Sequence, residues 1–157
     1  MRLLRKLILG VAGITVIGAA SATVALANPG TAITTTVLGH RATLSDSVQV
    51  NEDRIKFQTK DVTDVQMQTI TFQPHGTSGW HIHPGFGVVI VESGHVTHHD
   101  SNCQAIVYGP HESFVESGTD PHMVSNDSDT ATATVYATFI APSGSPFRLE
   151  ASPPGCS

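Results

Sequence analysis

The amino-acid sequence predicts an all-β protein that folds as one barrel-like domain. After Pro29, short runs rich in Val, Ile, Thr and Phe alternate with turn residues, as the strands of an antiparallel sandwich or barrel do. No segment there combines a sustained helical period with capping residues, so we expect no long helix. The chain has 157 residues, a length that favours a single domain.

Eight segments are predicted to be strands. Residues 65–72 carry two alternating sets of side chains, and residues 132–140 follow a polar turn, both of which are typical of strands. Ser93 and Gly94 predict a hairpin turn between two of the strands. Four prolines from residue 142 onward predict an irregular end to the chain. The predicted strands are residues 32–38, 65–72, 87–92, 95–99, 105–108, 113–116, 122–126 and 132–140.

Residues 1–27 have the features of a secretory signal peptide. Three positive charges lie in residues 1–6, an uncharged and largely apolar run follows, and Ala25 and Ala27 offer the small side chains that a signal peptidase requires. We expect cleavage after Ala27, a secreted domain over residues 28–157, and no stable membrane insertion once the signal is removed. The alternative interpretation is an uncleaved anchor, because the run is just long enough to span a bilayer.

The predicted mature domain is acidic. It keeps five of the eight basic residues and all thirteen acidic ones, which makes nucleic acid and anionic membrane surfaces poor partners. Cys103 and Cys156 are the two cysteines of the sequence. An oxidising compartment favours a disulfide between them, and two separate surface thiols are the alternative.

Three histidines are candidate metal ligands. His81 and His83 stand two positions apart on a predicted strand, so their side chains point to the same face of a sheet. His122 opens a later strand after a tight polar turn and is the candidate third ligand. Neutral imidazole is the commonest metal ligand in proteins, so we expect one divalent metal ion. The alternative is that these are ordinary barrel histidines without a metal.

The histidine pattern resembles the two motifs of the cupin superfamily. Residues 79–85 read Gly-Trp-His-Ile-His-Pro-Gly, and Gly94 fits the glycine that closes the first motif; His122 followed by Asn126 resembles the end of the second. The likeness covers about residues 65–140 and is closest to small secreted bacterial cupins. It implies a cupin-type β-barrel, also called a double-stranded β-helix or jelly roll, with a divalent metal ion (Fe, Mn, Ni or Zn) near its mouth bound by His81, His83 and His122.

One position departs from the cupin pattern. The first motif normally supplies a glutamate ligand at the position that Gly87 occupies here. We therefore expect a neutral site with three histidines, such as some thiol-oxidising cupin dioxygenases use. Glu92 has the opposite strand parity from Gly87 and should face outward.

Two functions follow from these expectations. The first is a small-molecule dioxygenase, and the alternative is a non-catalytic cupin that binds a small molecule or the metal itself; a structural barrel without metal is the third interpretation. No catalytic residue can be assigned from the sequence. His98 shares a strand face with Val96 and is expected to approach the site as a supporting or acid–base group. The expected partner is a small-molecule ligand or substrate, and by analogy with other cupins a second copy of the chain.

Overall fold

The computed structural model describes residues 29–155, which form twelve β-strands. Within that range no helix is long and apolar enough to span a membrane. The predicted signal peptide, its predicted cleavage site and Cys156 lie outside the described residues. The strands are β1 (Thr31–Leu44), β2 (Gln49–Glu52), β3 (Ile55–Gln58), β4 (Thr63–Thr77), β5 (His81–Ile82), β6 (Phe86–Ser93), β7 (Val96–His99), β8 (Ala105–Tyr108), β9 (Ser113–Ser117), β10 (Met123–Ser125), β11 (Ala133–Pro142) and β12 (Leu149–Glu150).

An antiparallel sheet of eight strands forms a nearly closed barrel. Its order is β8-β7-β10-β4-β11-β6-β9, and β1 pairs with β4. The long strand β4 is central because it pairs with β1, with β11 and, at Thr77, with β10. Two small sheets, β12-β5 and β2-β3, complete the fold. The predicted all-β barrel is confirmed.

The core lies between the strands and follows their period of two. In β11, Ala133, Val135, Ala137 and Phe139 are buried, whereas the side chains between them are half-buried or exposed. The alternation is expected because successive side chains of a strand point to opposite faces of the sheet. The other buried core residues are Phe72, Val89, Val91, Val96, Phe114 and Val124.

All eight predicted strands are present, with ends that shift by a few residues. The hairpin predicted at Ser93 and Gly94 is wrong, since β6 pairs with β9 and β11 whereas β7 pairs with β8 and β10. Gly94 does adopt a left-handed φ of 70°, which suits a tight turn. Turn chemistry therefore predicted a bend at Gly94, but the packing of the barrel determined which strands pair.

Candidate metal centre

The three predicted histidines meet because two short segments pair with each other. The amide of His81 donates to the carbonyl of His122 at 2.9 Å, and the amide of His122 donates back at 3.0 Å. His83 follows His81 on the same face of the segment. The ring centroids lie 4.9 Å apart for His81 and His83, 4.5 Å for His81 and His122, and 5.0 Å for His83 and His122. All three side chains are buried.

Each imidazole is oriented by a backbone carbonyl that contacts its Nδ1 atom. A carbonyl oxygen can only accept, so Nδ1 carries the proton, and in the neutral ring Nε2 keeps a lone pair. This is the arrangement by which proteins fix the tautomer of a metal-binding histidine. The acceptors are Gly79 for His81 at 2.9 Å, Phe147 for His83 at 2.6 Å and Asp120 for His122 at 3.0 Å.

A glutamate completes the cluster. Glu116 on β9 is 4% exposed, and its Oε2 lies 3.3 Å from Nε2 of His83. Its Oε1 lies 3.9 Å from Nε2 of His122. One ligand atom from each of His81, His83, Glu116 and His122 lies within 4.8 Å of the other three. Three nitrogens and one carboxylate oxygen form a donor set suited to a divalent first-row metal.

The expectation of a neutral three-histidine site is therefore wrong. Gly87 on β6 is paired with Glu116 on β9, so the carboxylate comes from the neighbouring strand at the register position opposite Gly87. A Cβ atom at Gly87 would lie 2.8 Å from the ring of Phe139 but 3.7 Å from Oε2 of Glu116. The Phe139 ring thus excludes a side chain at position 87, and the space in front of Gly87 admits the Glu116 carboxylate.

The sequence contained a signal for Glu116 that the motif comparison missed. In β9, Phe114 and Glu116 are buried whereas their neighbours are exposed. Phe114 is an apolar side chain expected in the core, and a period of two places Glu116 on the same face.

Burial sets the charges of the cluster. It lowers the pKa of His81 to about 3 although the nearby Glu116 opposes the shift, and it lowers the pKa of His122 in the same way. Burial alone raises the pKa of Glu116, but the close contact with His83 and the influence of the surrounding imidazoles outweigh it, so that the pKa falls below its usual range. At neutral pH the cluster therefore offers an anionic oxygen beside the neutral imidazoles of His81 and His122, as metal binding requires.

Two polar atoms of the cluster lack a protein partner. Oε1 of Glu116 and Nε2 of His122 are buried and have no hydrogen bond within the described residues. An unsatisfied buried polar atom costs about 1–3 kcal/mol, and such atoms are uncommon in native proteins. A divalent cation would satisfy both, so the donor set fits a metal ion. Whether the histidines ligate one stays a prediction.

The cluster borders a cavity of about 420 Å³. Most of its lining is apolar and includes Phe72 and Phe139. Arg148 and Glu150 are the charged side chains of its wall other than the cluster, and Arg148 Nη2 lies 2.7 Å from Glu150 Oε1. Glu150 on β12 is paired with His81 on β5. Arg148 lies just before β12 and lines the same cavity as His81 and His83, a position that the sequence could not predict.

His98 lies beside the cluster, as its strand parity predicted. Its ring stacks on that of His122 at a centroid distance of 5.7 Å and contacts Phe114 at 5.2 Å. It lines a second, smaller cleft of about 180 Å³ on the side of Glu116 and His122. Burial lowers its pKa. Glu92 is exposed, as expected from its parity.

Comparison with known proteins places the chain in a family. No curated protein matches the sequence. A structure of oxalate oxidase is 24% identical over 50% of this chain and 46% of that chain, with a TM-score of 0.43. This chain therefore spans less than half the length of that protein. An uncharacterised double-stranded β-helix protein from Klebsiella pneumoniae is 15% identical over 69% of this chain and 87% of that chain, with a TM-score of 0.49. A cupin-like protein from Thermotoga maritima is 16% identical over 57% of this chain and 65% of that chain, with a TM-score of 0.49.

The family assignment rests on the sequence model of the cupin domain, which matches residues 68–150. This range is more than half of the chain and contains all four residues of the candidate metal centre. The protein belongs to the cupin family.

Proposed function

We propose that this protein is a metal-dependent cupin enzyme, a dioxygenase that acts on a small organic molecule. The observation that carries the proposal is the buried group of His81, His83, Glu116 and His122 at the edge of a cavity. These four side chains would hold a divalent metal ion and would leave room on it for a small ligand. A bound divalent ion would supply Lewis acidity and redox chemistry at this point. Because both atoms of dioxygen enter the product of a dioxygenase, the reaction needs no external reductant.

The residues of the chain itself would bind and orient the substrate. The apolar wall of the cavity excludes water from the reacting group. The guanidinium of Arg148 offers a planar set of donors for an anionic or polar end of the substrate. Glu150 Oε1 accepts a hydrogen bond from Arg148 Nε at 3.0 Å and therefore orients the guanidinium.

We also propose that the domain works outside the cytoplasm. Support comes from the basic start, apolar run and small-residue cleavage site of residues 1–27. The disulfide between Cys103 and Cys156 and the pairing of two copies stay predictions.

Metal analysis tests the first half of the proposal. Protein purified after export in medium with physiological metals should hold about one metal ion per chain, and His83→Ala should hold none. The matched control is His95→Ala, because His95 is exposed and should not affect the metal content. Absence of metal from the parent protein would contradict the proposal.

Oxygen uptake tests the second half. Metal-loaded protein is supplied with panels of thiols, diketones and small carboxylates, and one of them should cause oxygen consumption that His83→Ala lacks. A second candidate function, a non-catalytic binder, is favoured by one observation. Glu150 is the cavity carboxylate outside the cluster, and it is already paired with Arg148, which leaves no free general base among the described lining residues. Silence across the panel, together with stable metal binding, would favour the binder.

A further inference from the structure

A second buried carboxylate joins three distant segments. Asp64 on β4 is 2% exposed. Its Oδ2 accepts from Arg41 Nη1 at 2.6 Å and from the amide of Gly144 at 2.9 Å. Its Oδ1 accepts from Thr43 Oγ1 at 2.7 Å and from Ser143 Oγ at 3.1 Å. One side chain therefore ties β1 and β4 to the segment that connects β11 to β12, residues 143–148.

Arg41 extends this connection along residues 143–148. Its Nη2 donates to the carbonyl of Ser145 at 2.9 Å, and its guanidinium carbon lies 4.2 Å from the centre of the Phe147 ring. The second contact has cation–π geometry. Arg41 thus holds this connecting segment by its backbone at one residue and by an aromatic ring two residues later.

The same segment supplies a contact to the candidate metal centre. The carbonyl of Phe147 accepts from Nδ1 of His83 at 2.6 Å, the hydrogen bond that fixes the orientation of this imidazole. The Phe147 ring also lines the cavity and packs against Phe139 at 6.4 Å between centroids. Phe139 in turn lies 5.0 Å from the His83 ring.

We propose that Arg41 and Asp64 are positioning residues for His83, which they orient through residues 143–147. The proposal rests on the proposed metal site and goes beyond it, because neither residue touches the metal-ligand candidates. Within the part of the chain that the structure describes, the connecting segment between β11 and β12 pairs with no strand, so the two residues provide hydrogen bonds that a sheet would otherwise supply. If the segment moved, the Phe147 carbonyl would move with it and the imidazole of His83 would lose its fixed direction.

Cobalt binding tests the proposal, since Co²⁺ reports ligand geometry through its visible spectrum. The variant is Arg41→Met, which removes the guanidinium and keeps much of the apolar stem. The matched control is Arg54→Met, whose side chain is 94% exposed and pairs with Asp53 only at 3.9 Å. Loss of a group that supports a ligand weakens metal affinity by about 10–100-fold. We expect this loss and an altered spectrum for Arg41→Met, partial recovery for Arg41→Lys, and no change for Arg54→Met. Unchanged affinity and spectrum in folded Arg41→Met would overturn the proposal.

A measurement without metal separates this proposal from the proposed function. In metal-free protein, the long-range ¹H–¹⁵N spectrum of the histidine side chains should show a protonated, slowly exchanging Nδ1 for His83. Arg41→Met or, if that variant does not fold, Arg41→Lys should broaden or shift this signal while the signals of His81 and His122 stay unchanged. An unchanged His83 signal would overturn the positioning role even if the metal binds. Failure of the parent protein to bind Co²⁺, with the His83 signal changed as expected, would overturn the metal function alone.

Discussion

Asp64 and Glu116 are both buried carboxylates, 2% and 4% exposed, but their surroundings differ. Asp64 accepts hydrogen bonds from Arg41, Thr43, Ser143 and Gly144. Glu116 lies 3.3 Å from His83 through its Oε2, and its Oε1 has no hydrogen-bond partner among the described residues. A buried charge normally has its hydrogen bonds satisfied. The difference indicates that Asp64 holds the structure together whereas Glu116 is placed for a ligand that the protein atoms do not supply.

The electrostatics of the two carboxylates support the same contrast. The pKa of Asp64 is lowered first by the amide of Gly144 and then by Thr43, with burial opposing and Arg41 and Ser143 contributing further. For Glu116, burial is the largest influence and raises the pKa, and only the histidines reverse the shift. Asp64 is therefore stabilised as an anion by groups of the scaffold, and Glu116 by the other members of the metal-ligand set.

The largest expected effect is the loss of metal affinity in Glu116→Gln, which separates the role of Glu116 from that of Asp64. Changes to groups that merely support a ligand weaken metal affinity by about 10–100-fold. Because Glu116 is itself a candidate ligand, we expect Glu116→Gln to weaken metal affinity by more than about 100-fold. The metal-free variant should be as stable as the parent or more stable, because a neutral amide replaces a buried and poorly paired charge. Competition with a chelator measures the affinity, and thermal unfolding in excess chelator measures the stability. Glu92→Gln, on the exposed face, is the control and should change neither quantity.

Asp64→Asn should show the opposite pattern. The amide side chain cannot accept the hydrogen bonds of Arg41, Thr43, Ser143 and Gly144 together, so we expect the melting temperature of the metal-free protein to fall by several degrees. The loss of metal affinity should be smaller than for Glu116→Gln. Thermal unfolding followed by circular dichroism checks the first effect. If Glu116→Gln destabilised the metal-free protein as much as Asp64→Asn, the contrast between the two carboxylates would be wrong.

The pH dependence of stability sharpens the role of Asp64. Because its pKa in the folded protein lies below the usual value, ionised Asp64 stabilises the fold above the unfolded pKa of about 3.9. This contribution is lost as the pH falls from there toward the folded pKa. We expect the difference in melting temperature between parent and Asp64→Asn to be full at pH 6–7 and to shrink steadily below about pH 4. A difference that stayed constant down to pH 2 would contradict the assignment.

The smallest expected effect concerns the space opposite Glu116. A Cβ at Gly87 would lie 2.8 Å from the Phe139 ring, so Gly87→Ala should destabilise the protein by about 1 kcal/mol through overpacking. It should also weaken metal binding, because Phe139 contacts the ring of His83. The control is Gly39→Ala on β1, where the nearest atom would lie at 3.7 Å and no loss of stability is expected. Urea unfolding measures both variants.

Much of the fold could be predicted from the sequence because strand periodicity is local. Alternating side chains identified eight strands, and the spacing of His81 and His83 placed both imidazoles on one face. The alternation of Phe114 and Glu116 carried the information that Glu116 points inward. The motif comparison missed it because it sought the carboxylate on the same strand as Gly87, whereas the barrel supplies it from the strand that pairs with Gly87.

The sequence alone determined the alternation of inward and outward side chains, the turn at Gly94 and the common face of His81 and His83. These depend on backbone geometry within a few residues. Only the tertiary structure decided the register that places Glu116 opposite Gly87, and the contacts that link Arg41 to Ser145 across 104 residues and His83 to Phe147 across 64. A backbone carbonyl has no signature in the sequence, and strand register is set by which faces the whole barrel can bury together. For that reason the ligand-set carboxylate and the residues that orient His83 emerged only from the folded chain.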